Sequence, residues 1–280
     1  MRFPGQTLET VLREPFSRLW TEDNAFDRAR TQQGDIVRAL EGRRTLRFEL
    51  DGRGYYLKAQ SGISWSRIVE DWLHLRQPVL GAGNEWRAIE TCHRIGVPTM
   101  RAVAFGERGK SWAHRESFLV TEAIEPAIDL DAYTRDWATC PPEPKLKHAL
   151  IRTLGELAGK FHHGGMNHRD FYLCHFLLHT DPSPQPEALQ LSLIDLHRAQ
   201  IRKTTPVRWR NKDLAALHFS TLKIGLTTRD RLRFLRAYFR QPLRRILNEE
   251  GGTLRHLERE AERLAQRFER KFANRPALER

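Results

Sequence analysis

Strand-type and helix-type patterns are segregated along this chain, and that segregation limits the folds open to it more than any other feature. Up to about Ile124 short strand-like runs form a small sheet with one or two helices; from Lys145 onward the pattern is mostly helical, with apolar residues every 3.6 positions. TLRFEL alternates, Asp51-Gly52-Arg53-Gly54 supplies the chemistry of a hairpin turn, and YYLKA follows as the partner strand. DIVRAL reads as a preceding strand, with Glu41-Gly42-Arg43-Arg44 as its turn. Residues 64–76 (SWSRIVEDWLHLR) read as an amphipathic helix, and a second helix is expected from about Asn84 to Ile95. Asn84 is its expected N-cap and Gly96-Val97-Pro98 its stop. RAVAFGERG and SFLVTEAI form another expected hairpin.

Beyond Pro126 the reading changes. Lys145–His163 carries Leu146, Leu150, Leu154, Leu157, Ala158 and Phe161 on one face and stops at Gly164-Gly165. FLLH and LSLIDL are short apolar runs separated by the Pro-rich loop DPSPQPEA, and the remainder reads as helix, broken at Pro242. The last helix sets Leu254, Leu257, Ala261, Leu264, Phe268 and Phe272 on one stripe, expected to be core. The expected class is α+β in two lobes, residues 1–124 small and β-rich, residues 125–280 larger and helical.

Composition narrows the function classes. Of 280 residues, 40% are hydrophobic, enough for real cores, and 29% are charged. No apolar run approaches the ~20 residues that span a bilayer, which sets aside an integral membrane protein as well as a disordered chain. The first thirty residues lack the apolar stretch of a secretory signal, so a cytoplasmic location is expected. Cys92, Cys140 and Cys174 form no CxxC pair and give no disulfide framework. Residues 1–200 hold 26 basic and 26 acidic side chains, whereas residues 201–280 hold 21 and 9, so the whole net charge of +12 lies in the last 80 residues. Such a region suits an anionic membrane surface, an acidic protein partner, or simple solvation. It lacks the motifs of a nucleic-acid reader, and no nucleic-acid partner is expected.

Four polar residues fall in a telling order. Lys58 closes a strand, Glu85 follows on a helix, Asp170 lies in Asn167-His168-Arg169-Asp170 after the long helix, and Asp195 ends LSLID. Singly, a strand lysine or an HRD triplet says little. Together they supply what phosphoryl transfer from ATP requires: a cation on the phosphates, a carboxylate for the metal, and a carboxylate that orients the attacking hydroxyl.

The segments LHLRQPVLGAGNEWRAI, GVPTMRAVAFGERG, LAGKFHHGGMNHRDFYLCHFLL, LIDLHRAQ and RWRNKDLAAL carry a closer likeness. Through them the chain resembles the bacterial lipopolysaccharide core heptose kinase family, within the broader protein-kinase-like superfamily. The resemblance implies a two-lobed kinase fold and an ATP- and Mg²⁺-dependent phosphotransferase. Its acceptor would be an alcohol group of an inner-core heptose on a lipid-anchored saccharide, and the enzyme would work at the inner face of the inner membrane. It implies that Lys58 binds the phosphates with Glu85 as its ion-pair partner, that Asp170 is catalytic, and that Asp195 binds the metal. Thr121-Glu122-Ala123-Ile124 matches the hinge that meets adenine, chiefly at Glu122 and Ile124, and Asp213 matches a brace for the catalytic loop. Two departures stand out. Gly42 is the only glycine at the expected phosphate cover, and His175 stands where protein kinases place a second metal-binding asparagine. Rival readings are a protein kinase acting on tyrosine or serine, and a non-catalytic pseudokinase or basic scaffold.

Overall fold

A computed structural model describes residues 9–40, 42–61, 82–109 and 115–272. The expected helix at 64–76, with Trp65, Trp72, Arg67 and Arg76, lies outside the described residues, as does Glu41 of the expected cover turn. The chain has the α+β class expected of it and divides into two compact units. The first comprises residues up to His93, Thr99–Glu125 and Asp195–Arg198; the second comprises Arg94–Pro98, Pro126–Ile194 and Ala199 onward.

The first unit is a six-stranded antiparallel sheet with helices. Its elements are β1 (Glu9–Leu12), α1 (Phe16–Leu19), α2 (Ala25–Thr31), β2 (Asp35–Leu40), β3 (Arg43–Leu50), β4 (Arg53–Gln60), α3 (Gly83–Arg94), β5 (Ala102–Arg108) and β6 (Glu116–Glu122). The strand order is β1-β5-β6-β4-β3-β2. Asp51 and Gly52, both with positive φ, make the two-residue turn joining β3 to β4, as the Asp-Gly pair dictates. Alternation along β4 then sorts the side chains. Tyr55 and Leu57 point to one face and pack with Phe16, Trp20, Phe26, Phe48 and Phe118. Lys58, one residue out of phase, points to the other. On that second face Trp86 of α3 stacks on Phe105 of β5 with centroids 5.1 Å apart. Asn84 is not the N-cap expected of it: it lies within the first turn of α3, and its amide donates instead to the His197 carbonyl at 2.9 Å.

The second unit is mainly helical. It contains β7 (Ala127–Asp129), α4 (Leu130–Thr134), α5 (Pro144–His163), β8 (Met166–Asn167), β9 (Phe176–His179), β10 (Leu191–Leu193), β11 (Gln200–Ile201), α6 (Val207–Ser220), α7 (Thr228–Phe239) and α8 (Leu243–Phe272). β10-β9-β7 form a small sheet and β11 pairs with β8. Pro144 opens α5 and the Glu143 carboxylate accepts the N–H groups of Lys145 and Leu146, a charged N-cap. Gly159 lets α7 approach α5 closely, since a Cβ there would sit 2.4 Å from the Tyr238 carbonyl. Gly165 has φ +84° and leaves no room for a side chain against the Arg202 carbonyl, which locks β8 to β11. The helices line an open, largely apolar pocket of about 320 Å³ whose walls include Leu154, Leu217, Leu235 and Leu254. α8 begins earlier than its apolar stripe suggested and runs straight through Gly251-Gly252. Its stripe is core at Leu257 and Ala261, but Phe268 is 51% exposed, against the expectation that the whole stripe is buried.

Candidate functional site

In the first unit, β4 and α3 bring Lys58 to Glu85. The Lys58 ammonium donates to Glu85 Oε1 at 2.6 Å and to Asp195 Oδ1 at 3.2 Å. Burial on its own disfavours a charged lysine, but the two carboxylates outweigh it and hold the Lys58 pKa above its ordinary value. Glu85 is 2% exposed, and that ammonium is the cation its buried side chain meets. Asp195 follows β10 by two residues and takes a left-handed conformation, φ +59°, uncommon for a residue with a side chain. A second contact fixes it: His197 Nδ1 donates to Asp195 Oδ1 at 2.7 Å, while the His197 carbonyl is held by Asn84. The sequence reading passed over His197; its signal is a histidine two residues after an aspartate at a strand end.

Gly42 has φ +69° in the turn between β2 and β3, and its carbonyl accepts the Ser61 N–H. Glu122 ends β6. Its N–H donates to the Arg101 carbonyl and its carboxylate pairs with the Arg101 guanidinium at 2.8 Å. The Ala123 N–H donates to the Gly54 carbonyl. The backbone donors at 122 and 123 are therefore spent within the fold, and Ile124 carries the next N–H in line.

In the second unit, Asp170 and His175 sit on a chain of hydrogen bonds whose direction can be assigned. A carbonyl only accepts, so His168 Nε2–H donates to the Ile194 carbonyl at 2.9 Å. His168 Nδ1 then carries the lone pair that accepts the Asp170 N–H at 3.3 Å. The Asp170 carbonyl accepts His175 Nδ1–H at 2.6 Å, and the two imidazoles stack 5.4 Å apart. His175 Nδ1 is thereby committed to the Asp170 backbone. Beneath the loop lies Asp213 of α6, 1% exposed. It accepts the backbone N–H groups of His168 and Arg169 and faces His162 Nε2 at 3.3 Å; His162 Nδ1 meets the Tyr238 hydroxyl at 2.8 Å. Burial pushes the Tyr238 phenol pKa up, so it stays a neutral donor.

The donor chemistry suits ATP with magnesium at Lys58 and Asp195. A hard cation takes carboxylate and phosphate oxygens, and magnesium commonly uses one or two carboxylates with waters and phosphates completing its octahedron. Among the described residues no group of three or more His, Cys, Asp or Glu side chains could hold a metal by itself. His175 offers nitrogen, a poorer match for this ion than oxygen.

The chain as a whole is similar to proteins of known class. The chain is 54% identical to the lipopolysaccharide core heptose(I) kinase WaaP of Pseudomonas aeruginosa over 263 residues, 94% of this chain and 98% of the relative. It is 46% identical to the protein of the same name from Escherichia coli K12 over 260 residues, 93% and 98% of the two chains. A solved structure of WaaP in complex with acyl carrier protein matches with a TM-score of 0.81 at 52% identity, covering 91% of this chain and 99% of that one. The family model for the lipopolysaccharide kinase (Kdo/WaaP) family matches residues 27–238, and the chain belongs to that family.

Proposed function

We propose that this protein transfers the γ-phosphoryl group of ATP to a hydroxyl of an inner-core heptose during lipopolysaccharide core assembly. The observation that carries the reading is the ammonium of Lys58 shared between Glu85 and Asp195. In this reading Lys58 binds the phosphates and Glu85 keeps it aimed at them. Asp195, oriented by His197, is the principal ligand of magnesium, whose contribution when bound is to neutralise charge on the transferring group. The Gly42 turn covers the phosphates, and adenine pairs with the Glu122 carbonyl and the Ile124 N–H. Asp170 accepts the proton of the attacking hydroxyl. His175 fixes the Asp170 backbone through Nδ1, and Nε2 is the atom with which it reaches phosphate or metal.

The heptose follows from the names of relatives that match nearly the full chain. Among the described residues no helix is long and apolar enough to cross a membrane, and the basic last 80 residues supply a means of attracting an anionic surface at the inner face of the inner membrane, about 1 kcal/mol per basic group. The same charge suits an acidic protein partner. A relative of this chain has been solved with acyl carrier protein, and we extend that kind of partner to this protein.

Purified protein incubated with labelled ATP, magnesium and either deacylated core saccharide or a mixed protein pool tests the reading. Label is expected in the saccharide, at one phosphate per chain; label entering protein alone would reject a sugar kinase.

A further inference from the structure

We propose that Arg13, at the junction of β1 and α1, is a positioning residue: it fixes α3 against the sheet and so keeps the Glu85 carboxylate on the Lys58 ammonium. This rests on the reading of Lys58 as the phosphate-binding lysine and adds to it a task for the N-terminal segment.

Arg13 reaches α3 through three kinds of contact at once. Its two terminal nitrogens donate to the two oxygens of Glu90, each at 2.9 Å. Its guanidinium carbon lies 4.7 Å from the centroid of the Trp86 ring. Nη1 also donates to the Ala102 carbonyl of β5 at 3.0 Å, so the guanidinium ties the helix to the sheet. Trp86 and Glu90 stand four residues apart, one above the other on one flank of α3, about 100–140° round from Glu85. The buried Ala88, Ile89 and Cys92 favour contact between α3 and the sheet, but apolar burial is non-directional and does not select one rotation of the helix. A forked guanidinium on a carboxylate fixes distance and direction together. A roll of α3 that carried Glu85 away from Lys58 would have to break that fork.

The residue that holds the helix is itself held. β1 pairs with β5, Leu12 opposite Ala104, and the Arg13 N–H continues the ladder to the Val103 carbonyl at 2.8 Å. The Arg13 carbonyl accepts the Ser17 N–H at 3.0 Å as α1 begins, and Phe16 and Trp20 are buried with Tyr55 and Leu57 of β4, the strand that carries Lys58. The N-terminal segment therefore packs on one face of the sheet and, from the edge strand β1, sends Arg13 to the helix on the other. At the start of α3 the Ala82 N–H donates to the Ser117 hydroxyl at 3.0 Å and the Gly83 N–H to Glu107 Oε2 at 3.3 Å. Glu85 lies between these two fixings. The hydrogen bond from Arg13 holds the Glu90 carboxyl below its ordinary pKa, so both partners are charged in the neutral range. Both are about one-third exposed, and a pair so placed adds little to global stability. What it sets is the fraction of molecules in which Glu85 stands at Lys58.

The test uses the full chain with Arg13→Met, and Glu90→Gln as an independent way to break the same fork. Each is expected to lower kcat/KM for ATP about 10-fold, with the KM for deacylated core saccharide unchanged and Tm lowered by no more than about 4 °C. Arg13→Lys keeps the charge without the fork and should recover only part of the loss. The deciding variant combines Arg13→Met with Glu85→Gln. Because Arg13 acts through Glu85, the combination should lose no more than Glu85→Gln alone. Losses that multiply, or an activity loss matched by a large fall in Tm, would make Arg13 a general structural contact and overturn the assignment; so would single variants as active as wild type. Affinity for ATP with magnesium, measured by calorimetry without acceptor, should follow the same order. A wild type that binds ATP but labels no saccharide sinks the sugar-kinase reading, and the ATP affinities of the variants still decide for or against Arg13.

Discussion

The two units organise their buried charges differently. At Lys58 the contacts run from side chain to side chain, linking residues 27 and 137 positions apart, on a lysine side chain that is 22% exposed. At Asp213 a carboxylate with 1% exposure grips backbone N–H groups and a histidine that is itself buried. Side-chain pairs can re-form when a phosphate competes for the cation. A carboxylate that holds the main chain cannot let go without releasing the loop above it. The first centre can therefore exchange partners, whereas the second fixes the backbone at His168 and Arg169, next to Asp170.

The largest effect that sharpens this contrast is at Asp170 itself. Asp170→Asn should lower kcat by about 10³-fold, near 4 kcal/mol in the transition state, with nucleotide affinity and melting temperature unchanged. Retained turnover would remove Asp170 from the chemistry. Next is Asp213→Asn. One amide oxygen cannot serve the donors that two carboxylate oxygens serve, and its NH₂ would face them. A loss of about 3 kcal/mol is expected, a fall in Tm of roughly 10 °C measured by calorimetry, with kcat falling in parallel. Glu85→Gln should do the reverse. Its oxygen still accepts from Lys58, so Tm should move by less than about 2 °C, while kcat/KM falls about 100-fold because the charge that holds the ammonium is gone. If Glu85→Gln costs as much stability as Asp213→Asn, the contrast between exchangeable and fixed centres is wrong.

Much of this was legible in the sequence, for local reasons. Asp51-Gly52 dictates its hairpin turn, and that turn fixes the register that turns Lys58 away from Leu57. The end of α5 was readable from Gly164-Gly165, and the stop after α3 from Gly96. What stayed hidden depends on contacts between distant residues. β1, α1 and α2 are too short to show periodicity, yet Phe16, Trp20 and Phe26 supply much of the first core. β8 and β11 are two residues each and exist because Gly165 admits the Arg202 carbonyl. Phe268 shows the opposite limit. Its place on a regular stripe implied burial, but helix geometry alone does not say where the neighbouring elements end.

The smallest prediction concerns a carboxylate of the second unit that resembles Asp213 in burial and differs in what it holds. Asp230, 3% exposed, closes a capping box at the start of α7, accepting the Thr227 N–H at 3.0 Å and its hydroxyl at 2.9 Å. Lys147 and His148 face it from α5 at 3.0 and 3.9 Å, and Arg233 from its own helix at 3.1 Å. Burial alone would raise its pKa, but the Thr227 and Lys147 contacts outweigh that and depress it. A depressed carboxylate stabilises the fold fully above its unfolded value, near 3.9, and that contribution disappears as pH falls through the lower folded value. Urea midpoints of wild type and Asp230→Asn should therefore differ by about 2 kcal/mol at pH 7; the gap should start to shrink below pH ~4 and close only under the depressed folded value, where the wild-type carboxyl is protonated too. A gap that stays constant with pH would mean that Asp230 stabilises α7 by packing and capping geometry rather than by its charge.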